Sequence, residues 1–134
     1  MQYGNTYSQS SRANSLAAYA EVGISSSVEG ASPEQLIQLL FNRLIEHLEH
    51  SYGFIEQGHL SGKIQSLSKA INIVDGLRLS LDHKAAPQLS GYLDSLYDYM
   101  TRRLLEANLN SDADIIQEVL LLVKDIASAW ETLV

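Results

Sequence analysis

The chain has 134 residues, no cysteine and a formal net charge of −7. This length fits one domain whose core needs neither a disulfide nor cysteine-bound zinc. The nine lysine and arginine residues are scattered, so no basic face is expected for nucleic acid or for anionic lipid. No apolar run approaches the ~18 residues of a membrane span, and the first residues, MQYGNTYSQSSR, do not resemble a signal peptide. We therefore expect a cytoplasmic protein.

The first part of the chain has little apolar periodicity. We interpret residues 1–31 as a mobile N-terminal arm, and residues 13–22 (ANSLAAYAEV) within it as a short helix that packs on the domain as a cap. Residues 23–31 contain two glycines and three serines, which is typical of a linker. The folded domain is predicted to span residues 32–134.

A capping signal marks the first helix of this domain. Ser32 suits the N-cap, Pro33 suits the first helical position, and Gln35 is placed to bond back to the cap. Apolar residues then recur at helical spacing as far as Ile55, and Gly58 is expected to end the helix.

Three further helices follow with the same periodicity. We predict a second helix over about residues 62–82, a third over about 87–108, and a fourth that begins after Ser111 or Asp112. Connections of roughly four to six residues between such helices make sequence neighbours antiparallel. Since no period-2 pattern indicates a strand, the predicted fold is all-α, an antiparallel up-down four-helix bundle.

Metal chemistry has weak support in the sequence. His47 and His50 share a helical face, where they either bind a metal ion or form part of a polar outer face. Di-iron bundles need Glu-x-x-His on two helices, but the one match here, residues 56–59, straddles Gly58 and has no second copy. We therefore predict neither a metal site nor a cofactor.

Catalytic groups are equally sparse. The chain has no Gly-x-Ser-x-Gly elbow and no glycine-rich phosphate loop. Asp94 and Asp98 are one helical turn apart, as a catalytic carboxylate pair would be, but Arg102 and Arg103 close by favour a solvated ladder of ion pairs. The sequence predicts a protein that is not an enzyme.

The helices are more apolar than a simple bundle requires. A bundle helix gives about three positions in seven to the core, yet nine of the thirteen residues in 115–127 are apolar and form two adjacent stripes. Either both stripes are buried within the bundle, or one is covered by the N-terminal segment, by a second copy, or by an amphipathic segment of a partner. The chain also has seven tyrosines, which either contact a partner or form a rim around the core.

Several short stretches together resemble the flagellar secretion chaperone family, which is specific for flagellin. The resemblance runs from about residue 13 to residue 131. It is carried by six stretches: residues 18–22 (AYAEV), 31–37 (ASPEQLI), 67–73 (LSKAINI), 96–100 (LYDYM), 102–108 (RRLLEAN) and 127–130 (ASAW).

The resemblance implies binding without catalysis. Members of this family hold the disordered C-terminal segment of new flagellin in hydrophobic grooves, prevent its premature polymerisation, and deliver it to the membrane export gate. They can also bind a flagellar regulator. The resemblance further implies that the N-terminal segment, with Tyr19, covers a groove and moves aside when flagellin binds.

On this basis we predict eight partner-binding residues, although periodicity cannot decide which apolar stripe is core and which is groove. They are Tyr19, Ile71, Val74, Leu96, Tyr97, Met100, Leu104 and Asn108. The free protein is expected to be a monomer or a weak homodimer. The alternative is a structural or regulatory bundle that uses the same surface for self-association or for a flagellar regulator.

Overall fold

A computed structural model of the chain describes residues 30–133. These residues form four helices: α1 (Pro33–Glu56), α2 (Leu60–Leu79), α3 (Pro87–Asn110) and α4 (Ala113–Leu133). Each helix packs on its neighbours in sequence, and α4 returns to pack on α1. Short connections make the neighbours antiparallel, so the predicted all-α up-down bundle is confirmed. The predicted short N-terminal helix and Tyr19 lie outside the described residues.

The start of α1 has the predicted capping box. The Ser32 hydroxyl accepts a hydrogen bond from the Gln35 backbone N–H at 3.2 Å, and the Gln35 side chain accepts one from the Ser32 N–H at 2.9 Å. Two N–H groups that the first helical turn cannot satisfy are thus bonded. Gly58 follows the end of α1 with a φ of 69°, in the left-handed region that glycine tolerates.

As predicted, α3 begins at Pro87 and α4 begins after Asp112, whereas both ends of α2 and the end of α3 differ from the predicted ones. His59 caps α2, since its Nδ1 accepts the Gly62 N–H at 2.9 Å, and the helix therefore starts at Leu60. Ser111 adopts a left-handed φ of 50° that ends α3, and Asp112 then caps α4 by accepting the Asp114 N–H at 3.0 Å. A chain reversal of only two residues, shorter than predicted, follows from this arrangement.

The hydrophobic core runs along the bundle axis and receives side chains from all four helices. At one end, the Phe41 and Trp130 ring centroids lie 6.5 Å apart, and the Trp130 indole N–H donates to the Glu34 carbonyl at 3.2 Å. These contacts fasten the end of α4 to the start of α1. Over residues 30–133, no helix has the length and apolar character needed to cross a membrane.

Candidate partner-binding grooves

An apolar depression lies where the start of α3 meets the end of α4. It contains a cavity of about 90 Å³ with nine lining residues: Ile37, Phe41, Ser80, Leu89, Leu93, Tyr97, Ile126, Ala129 and Trp130. Of the neighbouring helix pairs in the bundle, α3 and α4 share the least extensive contact. The small side chains of Ser80 and Ala129 also leave space that the large rings beside them do not fill.

The depression continues along the two helices as a groove. On α3, Leu96 lies three residues after Leu93, and on α4, Leu122 lies four residues before Ile126. Leu96 and Leu122 are both partly buried against the core. Tyr92, whose surface is 64% exposed, stands on the same face of α3. We call this surface, from Leu89 and Ala129 to Leu96 and Leu122, the α3–α4 groove.

A cluster of polar side chains closes the far end of the α3–α4 groove. Glu118 accepts hydrogen bonds from the Tyr99 hydroxyl and from Arg103 Nε, each at 2.8 Å. The bond from Arg103, and then that from Tyr99, lowers the pKa of the Glu118 carboxyl, while the bond to Glu118 raises the pKa of Tyr99. Glu118 is thus held as a carboxylate, and these bonds join α3 to α4 where the apolar lining stops.

A second apolar surface lies between α2 and α3. Leu60, Ile64 and Leu105 are 62%, 44% and 54% exposed, and the partly buried Ile71 and Asn108 extend the same two helical stripes. We call these five residues the α2–α3 surface.

An ion-pair ladder shows that these two stripes face each other. Arg78, on the α2 stripe, donates to both carboxylate oxygens of Asp94 on the α3 stripe, and Arg102 donates to Asp98 at 3.1 Å. The hydrogen bond from Arg78 lowers the pKa of Asp94. The carboxylates therefore belong to a ladder of ion pairs, as interpreted from sequence, although sequence reasoning missed Arg78 because it lies on another helix.

The predicted partner-binding residues fall into three groups in the structure. Leu96 and Tyr97 line the α3–α4 groove, although Tyr97 is only 3% exposed and is also part of the core, and Ile71 and Asn108 belong to the α2–α3 surface. Val74, Met100 and Leu104 are fully buried in the core beneath these surfaces. The three groups differ in where each residue lies relative to the two neighbouring helices. The periodicity of a single helix carries no information about that position, so it could not separate the groups.

The candidate metal ligands are not brought together. The ring centroids of His47 and His50 are 6.4 Å apart, and burial, followed by the charge of Lys69, lowers the pKa of His47. His59 uses Nδ1 to cap α2. In the described part of the chain, no three histidine or acidic side chains converge in a way that could hold a metal ion.

A helical bundle with apolar grooves between its helices is an architecture that can hold a segment of another protein. Comparison with known proteins makes this specific. The model of the family described as flagellar protein FliS matches residues 14–134, so the chain belongs to that family. The predicted resemblance is therefore confirmed.

Curated relatives carry the name flagellar secretion chaperone FliS. The one from Salmonella typhimurium is 47% identical over 120 residues, which cover 89% of each chain. The one from Escherichia coli is 44% identical over 115 residues, or 85% of each chain. The one from Bacillus subtilis is 33% identical over 105 residues, or 78% of this chain and 77% of the relative. The family's role is that of a chaperone, which is not an enzymatic one.

Proposed function

We propose that this protein is a cytoplasmic chaperone that binds the disordered C-terminal segment of flagellin, prevents its premature polymerisation and keeps it competent for export. The observation that carries this proposal is the apolar α3–α4 groove with its cavity of about 90 Å³, found in a chain whose relatives are named flagellar secretion chaperones.

The size and lining of the cavity indicate what the groove accepts. An apolar protein cavity of ~150 Å³ binds benzene, so the smaller cavity here suits one aliphatic side chain. Burying one leucine or isoleucine contributes about 1.5–3 kcal/mol, whereas ordering a disordered segment costs about 2–5 kcal/mol or more. A bound segment therefore needs several apolar anchors along the groove, as an amphipathic helix with apolar residues on one face provides.

The predicted site residues have different roles under this proposal. Leu96 contacts the segment in the α3–α4 groove, and Ile71 and Asn108 contact it on the α2–α3 surface. The buried Tyr97 contacts only a side chain that enters the cavity. Val74, Met100 and Leu104 are fully buried, so they support these surfaces and reach the partner only if α3 moves. Tyr19 remains a proposed contact from the N-terminal segment, and the membrane export gate and a flagellar regulator remain proposed further partners.

A change that fills the groove without disturbing the core tests the proposal. Ala129 lines the cavity but is exposed, so Ala129→Trp should place an indole in the groove and leave the core packing intact. We expect titration calorimetry with the isolated flagellin C-terminal segment to show binding that this change weakens by about tenfold or more, since it removes roughly one buried anchor.

The neighbouring Ser128 supplies the matched control. Ser128 is also exposed on α4 but does not line the cavity, so Ser128→Trp adds the same bulk outside the groove and should leave the affinity unchanged. Equal affinities for the two tryptophan variants would remove the α3–α4 groove from the site. Failure of the unchanged protein to bind the segment would overturn the proposed function itself.

A further inference from the structure

A second cavity lies at the opposite end of the bundle, where α1 and α3 end and α2 begins. Its volume is about 110 Å³, and its seven lining residues are Phe54, Ile55, Gly58, His59, Leu60, Lys63 and Ser111. Gly58, His59, Leu60 and Ser111 are exposed, so the cavity opens to solvent. Unlike the α3–α4 groove, this cavity contains a cationic side chain.

That cation is a buried lysine. Lys63 is only 5% exposed, and its Nζ donates to the Asn108 carbonyl and to the Ser111 hydroxyl, each at 2.8 Å. An ammonium group has three N–H donors, so two neutral acceptors leave one donor for a further ligand. Lys63 lines the cavity, which is where that ligand could approach.

No protein carboxylate balances this charge within residues 30–133. None of the ion pairs in that range includes Lys63. The carboxylate of Asp112, next to Ser111 in sequence, instead accepts the backbone N–H groups of Asp114 and Ile115 at the start of α4. Buried charges in proteins are normally paired with an opposite charge, and the carbonyl groups at the end of α3 supply only a fraction of one.

We propose that this cavity binds a carboxylate group of the partner segment, and that Lys63 is the residue that recognises it. This inference rests on the proposed function, because a C-terminal segment carries a terminal carboxylate, and acidic side chains of the segment are the other source of the same group. The carboxylate accepts a hydrogen bond from the third N–H of the Lys63 ammonium group and supplies the missing counter-charge.

A segment bound in the α3–α4 groove is able to reach this cavity. With a rise of roughly 1.5 Å per helical residue, Ser111 lies about 22 Å along α3 from Leu96. An extended chain covers that distance with about seven residues. Measured along the bundle axis, a segment anchored in the groove therefore needs about seven further residues to reach the level of the Lys63 cavity.

A thermodynamic cycle between Lys63 and the ligand tests the proposal. Titration calorimetry would compare the unchanged protein with Lys63→Met, each against the flagellin C-terminal segment with a free or an amidated terminus. We expect removal of the responsible carboxylate to weaken binding to the unchanged protein by about tenfold, the usual scale of one charge-assisted hydrogen bond. The same removal should have no effect on binding to Lys63→Met.

A third ligand and a control variant separate the possible causes. A segment with its acidic side chains changed to amides and its terminus free shows whether the carboxylate comes from a side chain. Lys69→Met removes an exposed lysine from the same helix and should retain the full response to ligand amidation. Because the ligand changes leave the protein unaltered, any loss of stability in Lys63→Met cannot produce the expected pattern.

Two results would contradict these expectations in different ways. If the amidated segment and the segment without acidic side chains both bind the unchanged protein as tightly as the original segment does, this inference is overturned and Lys63 remains only a cap for the end of α3. The proposed function would stand in that case, because the segment would still bind. Absence of binding by any segment would instead overturn the proposed function.

Discussion

The α1–α2 half and the α3–α4 half of the bundle are built differently. α1 and α2 share the most extensive contact of the neighbouring pairs, and α3 and α4 the least extensive. In the first half, Gly62 allows the start of α2 to approach the Phe54 ring closely. In the second half, the small Ala129 lines a cavity, and hydrogen bonds to Glu118 join α3 to α4. The α3–α4 groove therefore lies between the two neighbouring helices that share the least contact, where a partner segment disturbs the fewest contacts when it binds.

The largest expected effect is the loss of a fully buried core side chain of α1. Leu40 is fully buried on α1, and Leu40→Ala should reduce the free energy of unfolding by about 2–5 kcal/mol, through lost burial and a new cavity. Urea denaturation followed by circular dichroism measures this free energy of unfolding. The affinity of the fraction that remains folded should not change. A loss below about 1 kcal/mol would contradict the close packing of Leu40 in the core.

Two glycine substitutions compare a tightly packed position in α2 with an open position in α3. A Cβ at Gly62 would lie 2.6 Å from Phe54 Cδ1 and 2.7 Å from His59 Nδ1, so Gly62→Ala should destabilise the protein by about 1–3 kcal/mol. Gly91, in α3, is the matched control because a Cβ there meets nothing within 4 Å. Gly91→Ala should stabilise the protein by up to about 1 kcal/mol, through helix propensity. A melting temperature of Gly62→Ala that stays unchanged or rises would contradict the close approach of α2 to Phe54.

A smaller effect is expected from the polar cluster between α3 and α4. Glu118→Gln removes a carboxylate that accepts hydrogen bonds from Arg103 and Tyr99. The change should therefore weaken the contact between α3 and α4 and increase amide hydrogen exchange in α4. The effect on global stability should be smaller than that of either change above, because these side chains are partly exposed to solvent.

The pH dependence of this effect follows from the lowered pKa of Glu118. Its stabilising contribution is fully present above the ordinary value of 4.5 and is lost as the pH falls through the lower pKa of the folded state. At neutral pH, the free energy of unfolding of Glu118→Gln should therefore be lower than that of the unchanged protein. This difference should shrink towards acidic pH. A difference that grows on acidification would mean that Glu118 is not held as a carboxylate.

Local signals in the sequence predicted some features of the fold but not others. The residues of the Ser32 capping box lie three apart, so their bonds form wherever the helix starts, and this prediction was confirmed. The start of α2 and the end of α3 were predicted at the wrong residues, since His59 rarely serves as an N-cap and Ser111 is a non-glycine residue in the left-handed region. Both depend on how the neighbouring helices hold the chain at those points.

The candidate site was harder to predict than the fold. Met100 and Leu96 are both apolar residues of α3, and one is fully buried whereas the other reaches the α3–α4 groove. Their spacing is compatible with a core role for both. The residues that define the groove most sharply, Ser80 and Ala129, are small and give no apolar signal, because what they contribute is space.

The sequence alone determined four amphipathic helices, their antiparallel order and a resemblance to flagellar secretion chaperones, because periodicity, caps and short connections act within one helix or between sequence neighbours. Only the tertiary structure decided which apolar stripe is core and which lines a groove. It also placed Lys63 beside the end of α3, 45 residues away along the chain. Such placements depend on how each helix is rotated and how closely its neighbours approach, and those quantities follow from the packing of all four helices together.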